Sequence, residues 1–558
     1  MWCKNCNMET NEKTCHICGE DTIEDLPVEI YWCSHCRTPI IQVAKQADKG
    51  ICPLCKSKTK YMTADLRPVF PQERLLLEIL LEKKPHEFRE KSVWASDSRY
   101  YIDGKSISIS SKTFQDADAD AIAEILKVEE PNNTYDFFNS HIATFIEANK
   151  NRLHYLIDEA HRFVKHAASK FDEEHIVVSF SGGKDSTVTA DVVTKALSNP
   201  ELTHIFGNTT LEFPYTIQYA QRFNEAHEQC FWIAKNNEQD FYDVCEDIGP
   251  PARMMRWCCS MFKTGPITRI INKLYRDSRI LTFYGIRKSE SVSRSKYNRI
   301  EDDAESVKIQ QQTVASPIFF WKDLDIWLYI LAEEIDGCWC CPNNNQRAQF
   351  LSRIYMPEQS KKWRDFLISF AEKIGKPDPE VYVDTGKWKA RQGGNGLASA
   401  GDVKIRFTNC TTEEHAKIYR LVRPFDDELV GMFTPFGRVA PELGQKLLNE
   451  VLVLDNRTNV PILSIQPFGQ QGYDYAVKIR TMNVADHDDL QRMVGYQIRK
   501  FNACRKCLKC ESLCRAGAIS IVGDSYYINP DKCVHCKMCV TPKYLDGGCM
   551  MDKYLRTK

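Results

Sequence analysis

The chain has 558 residues, too many for one hydrophobic core, so three or more domains are expected. Hydrophobic residues make up 43% and charged residues 27%, as in ordinary globular proteins, and no apolar run is long enough to span a membrane. The 74 basic and 75 acidic residues nearly cancel, so overall charge neither indicates nor excludes a nucleic-acid partner. The amino-terminal residues lack the apolar core of a signal peptide, which favours a cytoplasmic location.

Cysteine is abundant and clustered, with 24 residues in the chain. In a cytosolic protein, clustered Cys-x2-Cys pairs indicate metal sites rather than disulfides. Residues 1–24 and 25–66 each carry two such pairs, which predicts two zinc ribbons with four thiolate ligands apiece; rubredoxin-like iron is the alternative. The predicted ligands are Cys3, Cys6, Cys15 and Cys18 in the first ribbon and Cys33, Cys36, Cys52 and Cys55 in the second.

A small α/β module is predicted at residues 67–130. The stretch "RPVFPQERLLLEILLEKK" predicts a helix with a proline at its start, and "SRYYIDGKSISIS" predicts a hairpin with Asp-Gly at its turn. Residues 131–170 have apolar positions near helical spacing and are expected to form a helical connector.

Residues 171–345 predict the main domain. The runs "HIVVSF", "LTHIFGNT", "RILTFYGI" and "TVASPIF" are candidate strands with helical segments between them. This alternation predicts an α/β fold with a doubly wound parallel sheet. Ligands of such sheets bind at the carboxyl ends of the strands, where "SGGKDS" lies.

The remaining chain is predicted as a helical segment and linker at residues 346–395, an α/β module of unknown role at 396–500 and a cysteine-rich domain at 501–558.

Charge is uneven along the chain. Residues 252–300 carry 12 Lys or Arg against 2 Asp or Glu, which favours an anion-binding surface over a mixed solvated face. The second ribbon is also basic, which suits either nucleic-acid contact or a plain scaffold.

The loop between the first strand and helix of the main domain has the chemistry of a phosphate site. Its glycines allow close backbone approach, and amides at a helix amino terminus attract anions. The segment resembles the PP-loop of the N-type ATP pyrophosphatases, Ser-Gly-Gly-x-Asp-Ser, which cleave ATP between the α- and β-phosphates. The resemblance implies an adenine nucleotide α-hydrolase-like fold and ATP with Mg2+. Phosphate-binding residues would be Ser181, Gly182, Gly183, Lys184, Asp185 and Ser186.

Three further segments resemble the phosphoadenosine phosphosulfate reductase family. They are "NTTLEFPYT", which begins at Asn208, "GIRKSESVSR", and "PIFFWKDLDIWLYI". The resemblance implies that Asn208 lies at the nucleotide site. It also implies that Arg287 and Arg294 face the nucleotide's phosphate end or the incoming substrate, with Glu290 beside them.

Cysteines inside this domain also match relatives of that family. Cys258-Cys259 and Cys338-x2-Cys341 resemble the set that holds a [4Fe-4S] cluster in adenylyl-sulfate reductases, although four thiolates also suit zinc. Cys340 is a spare thiol between the ligands. The segment "AEEIDGCWCC" reaches these cysteines sooner than the family pattern does.

Two features differ from the reductases. The chain has no Glu-Cys-Gly tripeptide, which carries the reductases' chemistry, and its PP-loop is complete where theirs is usually degraded. Both differences favour ATP as the nucleotide over plain sulfate reduction.

The carboxyl-terminal cysteines resemble bacterial two-cluster ferredoxins, in which the fourth cysteine of each run binds the other cluster. The resemblance implies that Cys504, Cys507 and Cys510 pair with Cys549, and that Cys533, Cys536 and Cys539 pair with Cys514. Cys549 lies far along the chain and Arg515 replaces the usual proline, so one cluster, two clusters or a zinc site are the alternatives.

The first hypothesis is therefore an ATP-dependent, pyrophosphate-releasing sulfurtransferase with iron–sulfur clusters, resembling the DNA phosphorothioation sulfurtransferases. Its substrate would be DNA or RNA, and its partner a cysteine desulfurase or another sulfur or electron donor; no membrane partner is expected. One alternative is a sulfonucleotide reductase that draws electrons through the tail. The other is a non-catalytic nucleic-acid-binding nucleotide sensor.

Overall fold

The computed structural model describes most of the chain. The described residues are 2–3, 6, 8–9, 13–22, 28–43, 49–96, 99–227, 230–252, 256–275, 278–291, 294–302, 312–333, 346–390, 405–469, 472, 474–523, 525–541 and 549. Across these ranges, the helices are all too short or too polar to cross a membrane.

Two small sheets at the amino terminus carry the first eight cysteines. β1 and β2 pair antiparallel, and β3 is the central strand of a three-stranded sheet with β4 and β5. The second sheet is fixed to the main domain by Asn149, whose side-chain oxygen accepts the Ile41 N–H at 2.7 Å and whose amide donates to the Pro39 carbonyl at 3.0 Å. The strands are β1 (Trp2–Cys3), β2 (Met8–Glu9), β3 (Val28–Cys33), β4 (Thr38–Val43) and β5 (Lys60–Thr63).

The next module is a four-stranded antiparallel sheet, in the order β6-β7-β8-β9, with three helices. Asp103 and Gly104 both have positive φ at the turn between β8 and β9, so the predicted Asp-Gly hairpin is confirmed. The first helix begins at Pro71, as predicted. The elements are β6 (Arg67–Pro68), α1 (Pro71–Leu80), β7 (Val93–Ser96), β8 (Arg99–Ile102), β9 (Lys105–Ser108), α2 (Ser111–Asp116) and α3 (Ala119–Glu129).

Two helices, α4 (Asp136–Ala148) and α5 (Lys150–Ala168), form the predicted helical connector. Buried side chains along α5, such as Ala160, Phe163 and Val164, belong to the core of the main domain. The connector therefore packs as one layer of that domain.

The main domain is a six-stranded sheet in the order β12-β11-β10-β13-β15-β14. Its strands are parallel except the short edge strand β14. The elements are β10 (Ile176–Phe180), α6 (Lys184–Leu197), β11 (Thr203–Asn208), α7 (Pro214–Ala226), β12 (Phe231–Lys235), α8 (Phe241–Ile248), α9 (Trp257–Cys259), α10 (Gly265–Tyr275), β13 (Ile280–Phe283), β14 (Ile300–Glu301), β15 (Gln312–Ala315) and α11 (Asp323–Ala332).

Both faces of this sheet are covered. Ile176, Val178 and Phe180 of β10 belong to the core that includes α5, α6 and α11, whereas Val177 belongs to a second core with Ile271 of α10. Alternate residues of a strand point to opposite faces, so the central strand is buried on both sides. The predicted doubly wound parallel sheet is confirmed.

Three helices follow, α12 (Gln346–Tyr355), α13 (Pro357–Lys373) and α14 (Pro379–Asp384). Phe350 and Leu351 of α12 complete the core of the module that contains α1 to α3. Trp363 and Phe366 of α13 pack against a core that contains Trp257. Much of the predicted linker lies outside the described residues.

The last part of the chain contains a six-stranded antiparallel sheet, in the order β16-β17-β21-β20-β19-β18. Strands and helices do not alternate here or around α1 to α3, so both modules are α+β rather than the expected α/β. The elements are β16 (Phe407–Asn409), β17 (Ala416–Leu421), α15 (Asp427–Gly431), β18 (Arg438–Ala440), β19 (Val451–Leu454), β20 (Pro461–Pro467), β21 (Tyr475–Thr481), α16 (His487–Ala503), α17 (Lys509–Leu513), β22 (Ile519–Val522) and β23 (Ser525–Ile528).

One hydrophobic core joins this sheet to the cysteine-rich tail. Val477 and Ile479 of the sheet share it with Val494 of α16 and with Leu508 and Tyr526 of the tail. The core therefore does not divide near residue 500. The tail itself contains a short helix and a hairpin, and its ferredoxin-like fold stays a prediction.

Candidate active site

The loop "SGGKDS" joins the carboxyl end of β10 to the amino terminus of α6. Gly182 has a φ of +71°, and a β-carbon there would lie 2.9 Å from Cγ2 of Thr216, so glycine is required for both reasons. The Ser186 hydroxyl donates to the Gly183 carbonyl at 2.8 Å, and the Ser181 N–H donates to the Ser186 oxygen at 3.1 Å. The fold thus holds the loop at the positive end of a helix dipole, where an anion is stabilised.

Two cations and two carboxylates form a network at this loop. Arg287 donates from Nε to Oδ1 of Asp185 at 2.6 Å and from Nη2 to Oδ1 of Asp323 at 3.0 Å. Nζ of Lys184 lies 3.1 Å from Oδ2 of Asp185 and 3.1 Å from Oδ1 of Asp323. The four charges compensate one another within a mostly buried site.

The pKa values in this network follow from burial and attraction. Burial disfavours the charged form of Arg287, but attraction to Asp185 and Asp323 outweighs burial and raises the pKa of the guanidinium. Burial also disfavours the charged carboxylate of Asp323, but Lys184 and Arg287 outweigh it and lower the pKa of that carboxyl. Arg287 and Asp323 therefore each favour the charged form in this site.

A glycine positions the arginine of this network. A β-carbon on Gly285 would lie 2.7 Å from the backbone carbon and oxygen of Asp185, so the segment after β13 packs directly on the PP-loop backbone. The Glu290 carboxylate then accepts the Arg287 N–H at 3.0 Å and forms an ion pair with Arg294. Three of the predicted site residues, Lys184, Asp185 and Arg287, thus contact one another. Glu290 contacts Arg287, and Arg294 contacts Glu290.

Asn208 lies at the carboxyl end of β11, the strand next to β10. Its side-chain oxygen accepts the Thr210 N–H at 2.9 Å. Asn208 is therefore placed at the correct edge of the sheet, and its predicted contact with a nucleotide stays a prediction.

Sequence reasoning missed two carboxylates of the site. Asp323 is the first residue of α11, and an acid in the first turn of a helix within a matched family segment was the available signal. Asp65 belongs to the chain just before β6, and its carboxylate accepts the N–H of Asp323 at 2.9 Å and of Leu324 at 3.1 Å. Asp65 had no local signal, because 258 residues separate it from its partner.

Part of the positive charge predicted for residues 252–300 is already neutralised. Five arginines of this stretch already form ion pairs with acidic residues. The pairs are Arg269–Glu511, Arg279–Asp302, Arg287–Asp185, Arg294–Glu290 and Arg299–Glu159. The charge count therefore overstates what a ligand meets. Lys263, Lys273 and Lys296 are exposed within the same stretch.

Comparison with known proteins identifies the family of the main domain. Residues 175–339 match the family model of the phosphoadenosine phosphosulfate reductase domain. The main domain belongs to the phosphoadenosine phosphosulfate reductase family. The matched range contains the PP-loop, Arg287 and Asp323, so the charge network lies wholly inside the family domain, and Asp65 is added from outside it.

Curated relatives of this family domain differ in activity. An uncharacterized protein of Methanocaldococcus jannaschii is 28% identical over 274 residues, 47% of this chain and 55% of that protein. The adenosine 5'-phosphosulfate reductase of Neisseria meningitidis is 27% identical over 195 residues, 35% of this chain and 72% of that enzyme. Sulfate adenylyltransferase subunit 2 of Marinobacter nauticus is 25% identical over 220 residues, 35% of this chain and 67% of that protein. The chain spans 55% to 60% of the length of two Methanocaldococcus relatives.

The two amino-terminal cysteine sets have the geometry of single-ion sites. In each set of four, the ligand atoms all lie within 4.8 Å of one another. The sulfurs of Cys3 and Cys18 lie 3.5 Å apart in one set, and those of Cys33 and Cys55 lie 3.5 Å apart in the other. Zinc–sulfur bonds of about 2.3 Å in a tetrahedron place sulfurs about 3.8 Å apart. Both sets therefore fit tetrahedral zinc, as predicted for the two ribbons.

Cys258 and Cys259 of the reductase-family domain lie side by side in α9, ahead of a π-helical turn at Ser260–Thr264. The Cys259 thiol, together with burial, raises the pKa of Cys258 well above its usual range. The raised pKa means that two adjacent thiolates are unfavourable without a cation. A metal bound to both sulfurs would stabilise them as thiolates. Cys338, Cys340 and Cys341 lie outside the described residues, so the structure describes only the first half of the predicted four-cysteine set, and the full set stays a prediction.

The tail cysteines of both runs lie close together. Cys507 and Cys549 belong to one core, and burial with the Cys549 and Cys510 thiols raises the pKa of Cys507 well above its usual range. Burial raises the pKa of Cys533, and Cys514 and Cys536 add to that rise. Burial and the thiols of Cys510 and Cys514 raise the pKa of Cys539, so the two runs are adjacent, and their division into two clusters stays a prediction.

The backbone of the two runs is also repeated. In each run the second residue after the first cysteine and the first residue after the second cysteine have positive φ, between 49° and 59°. These residues are Lys506, Leu508, His535 and Lys537. Within the described part of the chain, the tail thiols do not approach one another as closely as the amino-terminal sets do. A four-iron cluster holds its ligands further apart than a single ion does, so this spacing does not favour a single zinc ion in the tail, and the iron–sulfur assignment stays a prediction.

Proposed function

We propose that the reductase-family domain binds ATP, transfers AMP to an oxygen of a substrate and releases pyrophosphate, and that a sulfur nucleophile then displaces AMP. The observation that carries this proposal is the complete loop with Lys184 held between Asp185 and Asp323 at the amino terminus of α6. A lysine and helix amides at that point suit the negative charge that develops on departing pyrophosphate. The relationship to a sulfate adenylyltransferase subunit supports the use of ATP.

Each group in the network has a role in this reaction. In the first step the substrate oxygen bonds to the α-phosphorus as the bond to the β-phosphate oxygen breaks. Lys184 would then bind the leaving pyrophosphate, and Asp185 would order the loop or meet Mg2+. In the second step the carbon–sulfur or phosphorus–sulfur bond forms as the bond to the AMP oxygen breaks. Arg287 would hold Asp185 and Asp323 in place throughout, because it donates to both.

The substrate we propose is a nucleic acid. Lys56, Lys58 and Lys60 are exposed on the second ribbon, and Lys263 and Lys296 are exposed on the main domain. Exposed lysines on two modules suit a long polyanion better than a small sulfonucleotide.

A sulfonucleotide reductase is the second candidate, favoured by one contact in the structure and by one relative. The cysteine-rich tail packs against the main domain at Arg269, whose guanidinium pairs with Glu511 at 2.7 Å, and a relative is an adenosine 5'-phosphosulfate reductase. Product analysis separates the candidates. AMP and pyrophosphate formed from ATP support the transferase, whereas sulfite formed from adenylyl sulfate, without ATP cleavage, would replace it with the reductase.

A further inference from the structure

The tail is docked on the segment that follows Cys258 and Cys259. Leu508, between two cysteines of the first run, is fully buried. It faces Gly265, the first residue of α10, where an added β-carbon would lie 2.5 Å from Cβ of Leu508. Only glycine leaves room for this contact.

Leu508 also adopts a backbone conformation that disfavours its side chain. Its φ is +59°, in the left-handed region that bulky residues rarely occupy. Such a conformation persists only when the surroundings hold it in place. Lys537 has the same φ at the matching position of the second run, so the tail loop itself sets this backbone, and Gly265 leaves the room that the Leu508 side chain needs.

Polar contacts surround this apolar contact. Arg269, one turn further along α10, donates from Nε to Glu511 at 2.7 Å and also binds the carbonyl of Ile521. Glu238 accepts the N–H of Gly523 in the tail hairpin at 2.7 Å. The Glu511 carboxylate also accepts the Ile521 N–H at 3.0 Å, so one carboxylate connects helix, hairpin and main domain.

Sulfurs from both sides share one hydrophobic core. Cys507 and Cys549 of the tail belong to the same core as Trp257, and Cys258 packs against that core. Since Trp257 and Cys258 are adjacent in α9, the first tail set and the cysteine pair of the main domain meet at one apolar boundary.

We propose that the Leu508–Gly265 contact and the Arg269–Glu511 ion pair position the first tail cysteine set and the Cys258–Cys259 pair as one coupled redox unit. The inference rests on iron at both sets and not on ATP cleavage. Each centre takes up one electron, and no bond is made or broken. A low-potential one-electron carrier would supply the electrons, and dithionite replaces that carrier in the test.

The test is electron paramagnetic resonance of the full chain, loaded anaerobically with iron and sulfide and reduced with dithionite. One double variant combines Cys258→Ser with Cys259→Ser, the other combines Cys507→Ser with Cys549→Ser, and a quadruple variant carries all four changes and keeps only the second tail set. The wild-type and quadruple-variant spectra together are expected to differ from the two double-variant spectra together, and the difference is the magnetic interaction between the first tail set and the Cys258–Cys259 pair. Equality of the two sums, or iron content unchanged by Cys258→Ser with Cys259→Ser, overturns the proposal.

A milder pair of variants tests the contact itself. Gly265→Ala is expected to weaken the interaction with iron content retained, because the new methyl group displaces Leu508. Gly431→Ala is the matched control, since a β-carbon at Gly431 meets no atom within 4 Å. If Gly265→Ala loses iron, Arg269→Gln replaces it. If the variant that keeps its iron shows the same magnetic interaction as wild type, the Leu508–Gly265 contact and the Arg269–Glu511 pair do not position the two cysteine sets.

Discussion

The carboxylate of Asp65 accepts the backbone N–H of Asp323 at 2.9 Å, and so connects the amino-terminal module to the charge network of the PP-loop domain. Asp323 in turn binds Lys184 and Arg287. The start of α11 is therefore held by a residue outside the family domain. The segment between β5 and β6, which contains Asp65, therefore forms part of the candidate active site.

Ionisation of Asp65 is expected to cost stability. Burial, with repulsion from Asp323, raises the pKa of its carboxyl to about 6. A group whose pKa is raised on folding contributes stability below its unfolded pKa and loses it as pH rises through the folded pKa. The unfolding free energy of wild type minus that of Asp65→Asn should therefore fall by on the order of 2 kcal/mol between pH 4.5 and 7. Asp172→Asn, at an exposed aspartate, is the control, and a pH-independent difference for Asp65→Asn would refute the assignment.

Arg287 is expected to be the most stabilising member of the network. Arg287→Ala removes the most buried partner of Asp185 and Asp323 and leaves them only Lys184, and breaking a buried pair costs about 3–5 kcal/mol, of which Lys184 should retain a part. Arg287→Lys keeps the charge but cannot donate to both carboxylates from separate nitrogens, so its loss should be smaller. Thermal unfolding of the two variants checks the order, and an equal loss in both would show that charge alone matters.

Zinc content is expected to be about two ions per chain, because two closed four-thiolate sets are present. Cys36→Ser should remove one ion and expose the second ribbon to proteolysis, while the first ribbon keeps its metal. Cys410→Ser, which changes a thiol outside both sets, is the control. Metal analysis that finds both ions retained in Cys36→Ser would disprove the ligand assignment.

Iron is expected in addition to zinc after anaerobic preparation. Cys258→Ser combined with Cys259→Ser should remove one cluster and leave the signal of the tail. Cys230→Ser, a buried thiol elsewhere in the same domain, should leave the iron content unchanged. Iron bound by the double variant at the wild-type level argues against a cluster in the main domain.

Local sequence patterns predicted the local parts of the structure. The apolar run Ile176–Phe180 and the glycines after it determine a buried strand, a tight loop and a helix start, and all three are present. Asp65 and Asp323, or Leu508 and Gly265, are brought together only by tertiary packing. No local pattern encodes such pairs, and neither was predicted. The shared core of the last sheet and the tail was missed for the same reason.

Pyrophosphate release from ATP, with candidate DNA and RNA present, tests the central claim most directly. Lys184→Ala removes a charge that stabilises the leaving group as the α–β bond breaks, and such a loss costs about 2.7–4 kcal/mol, or roughly a hundred- to thousand-fold in rate. Lys195→Ala, at the other end of α6, should keep the wild-type rate, and the metal content of both variants should be unchanged. If wild type releases pyrophosphate and Lys184→Ala releases it at the same rate, the account is contradicted.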